Sequence, residues 1–327
     1  MLIGISIGGA AQEFLEFVSR DPIDGMEFVV APSMEEMPSA SGLEGSIGYW
    51  TPSDGSAPNL RWIHWPNAGV DDVPESIWSN PQLELTHSGG AGAVPIAEWT
   101  IGMIIFFAHR FRKILQYEQE RIWHTRRAVE LPGTPLRGAT VGILGYGAIG
   151  REVARLCKGF GMQIHASLGG HGQTQRLTYR TPGTGDPDGT IPDRWFGRDE
   201  LEDVLPEWDY IVLGMRVTDQ TRQLINARTL GLCKSSAILI NAARGSLVDE
   251  EALVQALHAG QIGGAALDVF ETEPLPADHP LRDAPNILIS PHCSPESPWY
   301  RNEWLTSIRE NLRRFAAGEP LLNVVER

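Results

Sequence analysis

Short apolar runs alternate with helical patterns along most of the chain. Five such runs fall in the first ninety residues, and six more lie between Thr140 and Ser290. Runs rich in branched and aromatic residues that alternate with amphipathic stretches are typical of parallel α/β sheets. The predicted strands are LIGISIG, GMEFVV, SIGYW, RWIHWP and LELTHS, followed by TVGILG, QIHAS, YIVLGM, AILIN, GAALDVF and NILIS.

Helix signals separate these strands. The stretch DEEALVQALHAG begins with Asp249 as an N-cap and closes at Gly260 as a C′ glycine. The amphipathic stretch WYRNEWLTSIRENLRRFAAGEP follows the last strand, so it has to pack outside the six-strand unit. We therefore predict a discontinuous first domain, residues 1–100 plus 296–327, that binds substrate, with a dinucleotide-binding domain at 101–295 inserted in it.

Composition restricts the function classes. The chain has 327 residues, 42% of them hydrophobic, and a formal net charge of −14. That charge repels nucleic acid phosphates and anionic lipid, so we expect neither nucleic acid nor membrane as a partner. The apolar stretch AEWTIGMIIFFAHR is too short to span a bilayer and carries Glu98 and His109, so it predicts a buried or interface helix.

The three cysteines are Cys157, Cys233 and Cys293, and none has a CxxC neighbour. An odd number without such spacing predicts reduced thiols in a cytoplasmic protein. The first residues have no basic segment before their apolar run, so they predict a strand and helix instead of a signal peptide.

A glycine-rich loop follows the strand TVGILG. Gly145, Gly147 and Gly150 have GxGxxG spacing, directly after an apolar strand and at the start of a helical pattern. The first glycine permits a tight turn, the second lets the backbone approach a pyrophosphate, and the third lets helix and strand pack closely. This context predicts dinucleotide binding.

The cofactor preference depends on the end of the next strand. An acidic residue that binds the ribose hydroxyls usually stands 18–20 positions after the last glycine, but Leu168 stands there. Leucine neither accepts those hydrogen bonds nor repels a 2′-phosphate, and Ser167, His171 and Arg176 are candidates to bind one. Both NAD(H) and NADP(H) stay open, with NADP(H) favoured.

A Gly/Pro-rich segment, GGHGQTQRLTYRTPGTGDPDGTIPDRWFGRD, follows that strand. Loops of this length without structure are uncommon in compact domains and are often functional. The sequence leaves two interpretations open, a solvated surface insertion and a functional lid.

The last three strands deliver polar side chains to one edge of the predicted sheet. Arg244 follows AILIN, GAALDVFETEPLP delivers Asp268 and then Glu273, and His292 follows NILIS. Ligands bind at the carboxyl ends of parallel strands. A carbonyl that accepts a hydride needs a proton, which a histidine can give. A carboxylate can orient that histidine, and an arginine can hold a substrate carboxylate. The set predicts hydride transfer to a 2-keto acid.

From about Leu60 onward the chain resembles the D-isomer-specific 2-hydroxyacid dehydrogenases. This family implies two Rossmann-like parallel-sheet α/β domains, the first flavodoxin-like, with the active site in the cleft between them. It also implies a homodimer joined through the segment AEWTIGMIIFFAHRFRKILQYEQERIWH. The motifs that carry the resemblance are WPNAGVDD, GAGAVPIAEWTIGMII, LRGATVGILGYGAIG, NAARGSLVDEEAL, GGAALDVFETEPLP, PH at His292 and GEPLLNVV.

The resemblance also implies residue roles. Arg244 matches the substrate-binding arginine, His292 the acid/base and Glu273 its partner, and Asp268 an aspartate near the nicotinamide carboxamide. The backbone amides of Ala68, Gly69 and Val70 match the loop that holds the substrate carboxylate, and no metal is implied. The implied cofactor-binding set is Val94, Gly145, Gly147, Ala148, Ile149, Gly150, Ser167, Thr218, Ala242, Asp268 and His292.

The sequence departs from the family pattern in two further places. Arg216 replaces the usual proline before Thr218, and CSPESPWY after His292 brings Pro295, Trp299 and Tyr300 near the predicted pocket. Cys293 is interpreted as an apolar cysteine and not as a nucleophile.

These residues predict an NAD(P)-dependent oxidoreductase that interconverts a small 2-keto acid and its D-2-hydroxy acid. Glyoxylate and hydroxypyruvate are the first candidates. Two alternatives stay open. One is a non-enzymatic, NAD(H)-sensing binding protein like the corepressors of the same superfamily. The other is an enzyme for formate or phosphite.

Overall fold

The computed structural model describes residues 1–32, 36–38, 40–52, 56–123, 132–167 and 177–325. Among these residues the chain forms twelve strands and nine α-helices. The strands are β1 Leu2–Ser6, β2 Glu27–Val30, β3 Gly45–Gly48, β4 Trp62–Trp65, β5 Glu84–His87, β6 Thr140–Leu144, β7 Gln163–Ser167, β8 Arg194–Phe196, β9 Tyr210–Leu213, β10 Ile238–Asn241, β11 Gly264–Leu267 and β12 Ile287–Ile289. The helices are α1 Ala11–Ser19, α2 Glu75–Trp78, α3 Ala93–Ala108, α4 Phe111–Gln119, α5 Ala148–Gly159, α6 Leu201–Val204, α7 Ala227–Leu230, α8 Glu250–His258 and α9 Pro298–Ala317.

The chain divides into two compact units. Unit 1 comprises Met1–Gly92, Arg176–Pro182 and Ser297–Arg327, and unit 2 comprises Ala93–Gln175 and Gly183–Glu296. The sequence placed the first boundary at residue 100, inside helix α3, whereas the compact units divide just before that helix begins. It also gave no sign that residues 176–182 group with unit 1.

Unit 1 is built on a five-stranded parallel sheet in the order β2-β1-β3-β4-β5. All five strands predicted in this part of the chain are confirmed. Helix α9 packs its apolar face on this sheet, where Trp304, Ile308 and Leu312 join a core that includes Ile3 and Phe14. Gly318 ends the helix with φ of +67°, a left-handed conformation that glycine adopts without a Cβ penalty.

Unit 2 is built on a seven-stranded parallel sheet in the order β12-β11-β10-β9-β6-β7-β8. The six predicted strands are confirmed. The seventh, β8, was not predicted because its three residues lie inside the Gly/Pro-rich segment and are too few to show an alternation of apolar and polar residues. Strand β6 lies between β7 and β9, where the strand order reverses, and such a point opens a crevice at the carboxyl ends of the strands.

Two helices of unit 2 confirm sequence predictions. Helix α3 buries Ala97, Ile101 and Ile104 in a core shared with α5, and no helix among the described residues is long and apolar enough to cross a membrane. Helix α8 has Asp249 as its N-cap, with the carboxylate accepting from Ala252 N at 3.0 Å, and Gly260 follows it with φ of +64°.

The Gly/Pro-rich segment is anchored in unit 1 over its described residues 177–182. The Tyr179 hydroxyl donates to Glu303 of α9 at 2.7 Å, and Thr181 donates to the same carboxylate oxygen at 2.6 Å. Asn323 donates its N–H to Leu177 O and accepts from Tyr179 N at 2.9 Å. Tyr179 is only 8% exposed, so this stretch is part of the packed structure of unit 1 and not a solvated loop.

The next part of the segment is anchored in unit 2. Asp186 is 4% exposed and accepts from the Tyr146 hydroxyl of the glycine-rich loop at 2.7 Å. Arg151 of α5 donates to Asp186 O and stacks on the Tyr146 ring at 4.7 Å. Glu152 of α5 accepts from Gly185 N. The segment therefore buries charged residues of α5 that would otherwise face solvent.

A buried histidine lies in the centre of unit 1. His64 on β4 is 0% exposed, with its ring nitrogens 2.9 Å from Thr86 Oγ1 and from Ser88 Oγ. Trp62 Nε1 also donates to Thr86 Oγ1. Burial first, and the neighbouring His87 second, lower the pKa of His64 to about 3. The ring is therefore neutral in the folded protein at neutral pH.

We predict that His64 makes the protein acid-sensitive. Below about pH 6.5 the unfolded chain binds a proton that folded His64 does not bind until about pH 3. Stability is therefore lost as pH falls through this window, by about 1.4 kcal/mol per pH unit. His64→Gln cannot titrate, so between pH 7 and pH 5 it should lose about 2 kcal/mol less stability than wild type in urea unfolding.

His258→Gln is the matched control, because His258 is exposed on α8. It should keep the wild-type pH dependence. If the free energy of unfolding had the same dependence on pH in wild type and in His64→Gln, His64 would not be the source of the acid sensitivity.

Candidate active site

The glycine-rich loop has the geometry that a dinucleotide requires. Gly145 has φ of +106°, and a Cβ there would overlap the backbone of Gly214 at the end of β9. A Cβ at Gly150 would overlap Gly145 O, whereas a Cβ at Gly147 would meet nothing within 4 Å. Two glycines thus permit close packing, and the third leaves the backbone open at the N-terminus of α5. The loop fits a bound pyrophosphate.

The neighbouring strand ends carry other predicted cofactor residues. Ser167 Oγ, at the end of β7, accepts from Gly145 N at 2.8 Å. Thr218 lies in the exposed loop after β9, where its N–H donates to Thr221 Oγ1 at 2.8 Å. Ala242 follows β10, and Ala148 and Ile149 open α5. Val94 lies in the first turn of α3, and Leu168, His171 and Arg176 lie outside the described residues.

The loop after β10 lies against the loop after β11. A Cβ at Gly245 would overlap the backbone of Phe270, so the two segments are in direct contact. Arg244 immediately precedes this contact, is partly buried and donates through Nη1 to Ala243 O at 2.7 Å. Its backbone carbonyl accepts from Asn241 Nδ2 at 2.8 Å. Close backbone packing thus brings Arg244 beside the segment that leads to Glu273.

Glu273 and His292 form a hydrogen-bonded pair. Glu273 Oε2 lies 2.7 Å from His292 Nδ1, and Glu273 Oε1 accepts from Phe270 N at 2.9 Å. Because a carboxylate only accepts, Nδ1 carries the hydrogen. The pair leaves Nε2 for another partner, and no described residue hydrogen-bonds to it. The imidazole is half exposed, at 50%, so a ligand can reach Nε2.

His292 has an uncommon backbone conformation. Its φ is +50°, in the left-handed region that residues with a Cβ rarely adopt. Its N–H donates to Asp268 O at 2.8 Å, which holds the turn after β12 in place. Backbone strain of this kind persists where the surrounding structure fixes it, and it is concentrated at functional sites.

Asp268 holds the loop that carries His292. Its carboxylate is 0% exposed and accepts from Ser290 Oγ at 2.6 Å, from Cys293 N at 2.9 Å and from Ser294 N at 2.9 Å. Burial alone would raise the pKa of Asp268, but these hydrogen bonds, led by that from Ser290, lower it. The sequence pointed to a cofactor contact for Asp268 and did not reveal this positioning role.

The remaining candidates lie apart from this cluster in the chain. Ala68, Gly69 and Val70 follow β4 in unit 1, where Val70 is buried and Ala68 is exposed. Trp299 and Tyr300 lie in the first turn of α9 in unit 1, and Tyr300 packs on its core.

Cys293 is exposed, contrary to its interpretation as an apolar cysteine. Burial first, then the carboxylates of Asp268 and Glu296, raise its pKa. A raised pKa disfavours the thiolate, and so a nucleophilic role.

Comparison with known proteins identifies this arrangement. Residues 101–294 match the family model described as D-isomer specific 2-hydroxyacid dehydrogenase, NAD binding domain. The chain belongs to the D-isomer specific 2-hydroxyacid dehydrogenase family. It is therefore an NAD(P)-dependent oxidoreductase with the two-domain α/β fold of that family.

Several relatives are similar over most of their length. A glyoxylate reductase from Aeropyrum pernix is 34% identical over 277 residues, which cover 83% of this chain and 78% of that protein. A family protein from Aeromonas salmonicida has a solved structure with a TM-score of 0.78 at 25% identity, covering 99% of this chain and 98% of the other. The structure of another family protein, from Xanthobacter autotrophicus, was solved in complex with NADPH and MES. It has a TM-score of 0.77 at 26% identity and covers 100% of this chain and 98% of the other.

We predict that Asp268→Asn lowers kcat by about 10- to 100-fold, because a displaced His292 loses its reacting geometry. The amide nitrogen cannot accept, so at least one backbone N–H of the loop loses its acceptor. Steady-state kinetics with the variant checks this. Ser290→Ala removes a single hydrogen bond and should have a smaller effect. An unchanged kcat in Asp268→Asn would show that the loop does not depend on the carboxylate.

Proposed function

We propose that the chain is a 2-keto acid reductase, interconverting a small 2-keto acid and its D-2-hydroxy acid. The observation that carries this proposal is the His292–Glu273 pair, with Nδ1 and Oε2 2.7 Å apart, on the sheet edge that also carries the glycine-rich loop. A histidine held in this way can transfer a proton through Nε2 while a substrate carbonyl is reduced.

His292 is the proposed acid/base. In the reduction direction, protonated His292 gives the Nε2 proton to the carbonyl oxygen as the 2-carbon becomes tetrahedral. In the oxidation direction, neutral Nε2 takes the hydroxyl proton. Glu273 keeps the hydrogen on Nδ1 and stabilises the imidazolium, and its own orientation is fixed by Phe270 N.

Arg244 is the proposed anchor for the substrate. A guanidinium binds a carboxylate with two parallel hydrogen bonds and can also polarise the adjacent carbonyl. A local cation is needed because the chain as a whole carries a charge of −14 and repels small anions. The backbone amides of Ala68, Gly69 and Val70 are proposed to hold the same carboxylate, as the family resemblance implies.

The bound nicotinamide cofactor would supply or accept the hydride. Gly145, Gly147 and Gly150 would hold its pyrophosphate together with Ala148 and Ile149. The other residues proposed to contact it are Val94, Ser167, Thr218, Ala242, Asp268 and His292. Within unit 2 these residues follow strand ends or open helices α3 and α5 at the carboxyl edge of the sheet.

The proposed substrates are glyoxylate and hydroxypyruvate. The 34% identity to a protein named glyoxylate reductase over 83% of this chain supports this choice. Preference for NADP(H) is proposed on the absence of a carboxylate at Leu168. A cytoplasmic location is proposed on the cysteine usage.

The decisive experiment follows NADPH and NADH oxidation at 340 nm with a panel of 2-keto acids. His292→Ala should lower kcat by about 100- to 10,000-fold, because general acid catalysis is lost. Glu273→Gln should lower it less and should change its pH profile. His258→Ala, a change of an exposed histidine on α8, is the matched control and should retain full activity.

Two outcomes would overturn the proposal. Turnover that survives His292→Ala would remove the acid/base assignment. Tight cofactor binding without turnover of any 2-keto acid would favour the nucleotide-sensing alternative.

We also propose a homodimer formed through α3 and α4. Helix α4 exposes an apolar stripe at helical spacing, with Phe111, Ile114 and Leu115 41–53% exposed. Ile122 and Trp123 extend it beyond the helix, and Trp123 is 82% exposed. An exposed apolar patch of this kind is typical of a protein–protein contact.

The dimer can be tested with one added charge. Leu115→Glu should give a particle of 35.9 kDa by light scattering, in place of twice that mass for wild type. Gln116→Glu adds the same charge at an exposed position of α4 that lies about 100° or more around the helix from the stripe, and it should stay dimeric. A monomeric wild type would contradict the proposal.

A further inference from the structure

The loop after β9 lies directly against the glycine-rich loop. Gly214 N donates to Leu144 O at 2.7 Å, and a Cβ at Gly145 would overlap the backbone of Gly214. Arg216 follows two residues later. Arg216 is therefore close in the chain to a residue that touches the glycine-rich turn, which the proposed function assigns to the pyrophosphate.

The backbone of this loop is held in a closed turn. Thr221 Oγ1 donates to Arg216 O at 2.8 Å and accepts from Thr218 N at 2.8 Å. Thr218 Oγ1 in turn accepts from Thr221 N at 3.2 Å. A fixed turn projects the exposed Arg216 side chain from a defined point, which lowers the entropy cost of binding through it.

The neighbouring arginines already have partners. Arg198, just after β8, donates to the side-chain and backbone oxygens of Gln220. Arg222 lies 3.6 Å from Glu271. By contrast, neither Asp219 nor any other described residue forms an ion pair or side-chain hydrogen bond with Arg216. A guanidinium at the carboxyl edge of the sheet is thus available for a ligand.

The usual ribose-binding carboxylate is absent after strand β7, which pairs with β6. Strand β7 has no lysine or arginine from Gln163 to Ser167, and Leu168 stands at the position of the usual ribose-binding carboxylate. In dinucleotide-binding folds the ribose 2′ position lies at this strand end, and an arginine nearby accommodates a 2′-phosphate. The loop after β9 can provide a cation for such a phosphate beside the glycine-rich loop.

We propose that Arg216 selects NADP(H) by binding the 2′-phosphate of its adenosine ribose. The inference rests on the proposed nucleotide site and deepens it by naming the residue that decides between the two cofactors. Arginine suits this role because its planar fork binds two phosphate oxygens together and can stack on the adenine ring. It also offsets locally the net charge of −14 that repels a tetra-anionic cofactor.

The test is calorimetric titration of wild type and Arg216→Ala with NADP⁺, NAD⁺, adenosine 2′,5′-bisphosphate and ADP. Arg216→Ala should weaken NADP⁺ and the 2′,5′-bisphosphate by about 10- to 100-fold, the usual effect of losing charge-assisted hydrogen bonds. Its affinity for NAD⁺ and ADP should be unchanged. Arg216→Lys keeps the charge without the fork and should lie between wild type and Arg216→Ala.

Arg222→Ala is the matched control, since Arg222 belongs to the same loop and is 56% exposed. It should bind all four ligands as wild type does. Equal thermal unfolding temperatures for the three variants would show that they fold alike.

The outcomes of these titrations either support or overturn the role of Arg216. Equal weakening of NADP⁺ and NAD⁺ by Arg216→Ala would place the guanidinium on a group that both cofactors share and would overturn it. So would unchanged NADP⁺ binding, or tighter wild-type binding of NAD⁺ than of NADP⁺. Selective loss of NADP⁺ binding in a protein that reduces no 2-keto acid would uphold Arg216 and reject the reductase function.

Discussion

The buried carboxylate of Asp268 is the interaction on which the proposed catalytic centre depends. It is fully shielded from solvent, yet hydrogen bonds from Ser290, Cys293 and Ser294 lower its pKa. A buried charge is tolerated only when it is satisfied in this way, and the same bonds fix the turn after β12. That turn carries His292 in a left-handed conformation, so the orientation of the imidazole follows from a charge that never reaches solvent.

Close contacts between backbones bring the other residues to the same edge. Gly145 touches Gly214, and Gly245 touches Phe270, at distances where a Cβ would overlap its neighbour. These contacts link the loops after β6 and β9, and those after β10 and β11. Because the strands are parallel, their carboxyl ends meet at one edge, and the glycines let the loops pack there without side chains between them. The loop that carries Arg244 thus lies against the segment that leads to Glu273, which is bonded to His292.

The Gly/Pro-rich segment joins parts of the chain that the strand pattern keeps separate. Its described residues 177–182 are packed in unit 1 through Glu303 and Asn323. Its later residues are packed in unit 2 through Asp186, which bonds to Tyr146 and Arg151. The polypeptide therefore passes between the two compact units at this segment as well as near residues 92 and 296. Tyr179 and Asp186, which the composition did not distinguish from a solvated insertion, are thus buried parts of the packed structure.

The sequence by itself determined all of the twelve strands except β8, the caps of helix α8 at Asp249 and Gly260, and the glycine-rich loop. These features depend on the alternation of apolar residues, on capping residues and on the spacing of glycines. All three are local and can be read from neighbouring residues. It also placed Arg244, Glu273 and His292 at strand ends on one sheet. Only the tertiary structure decided that Asp268 holds the His292 loop, that β8 forms inside the insertion, and that Tyr179 packs on Glu303. The hydrogen bonds of Asp268 with Ser290 and of Tyr179 with Glu303 join residues 22 and 124 positions apart, and no local pattern encodes which distant donor meets which acceptor. Strand β8 lies in a Gly/Pro-rich segment without alternation of apolar and polar residues.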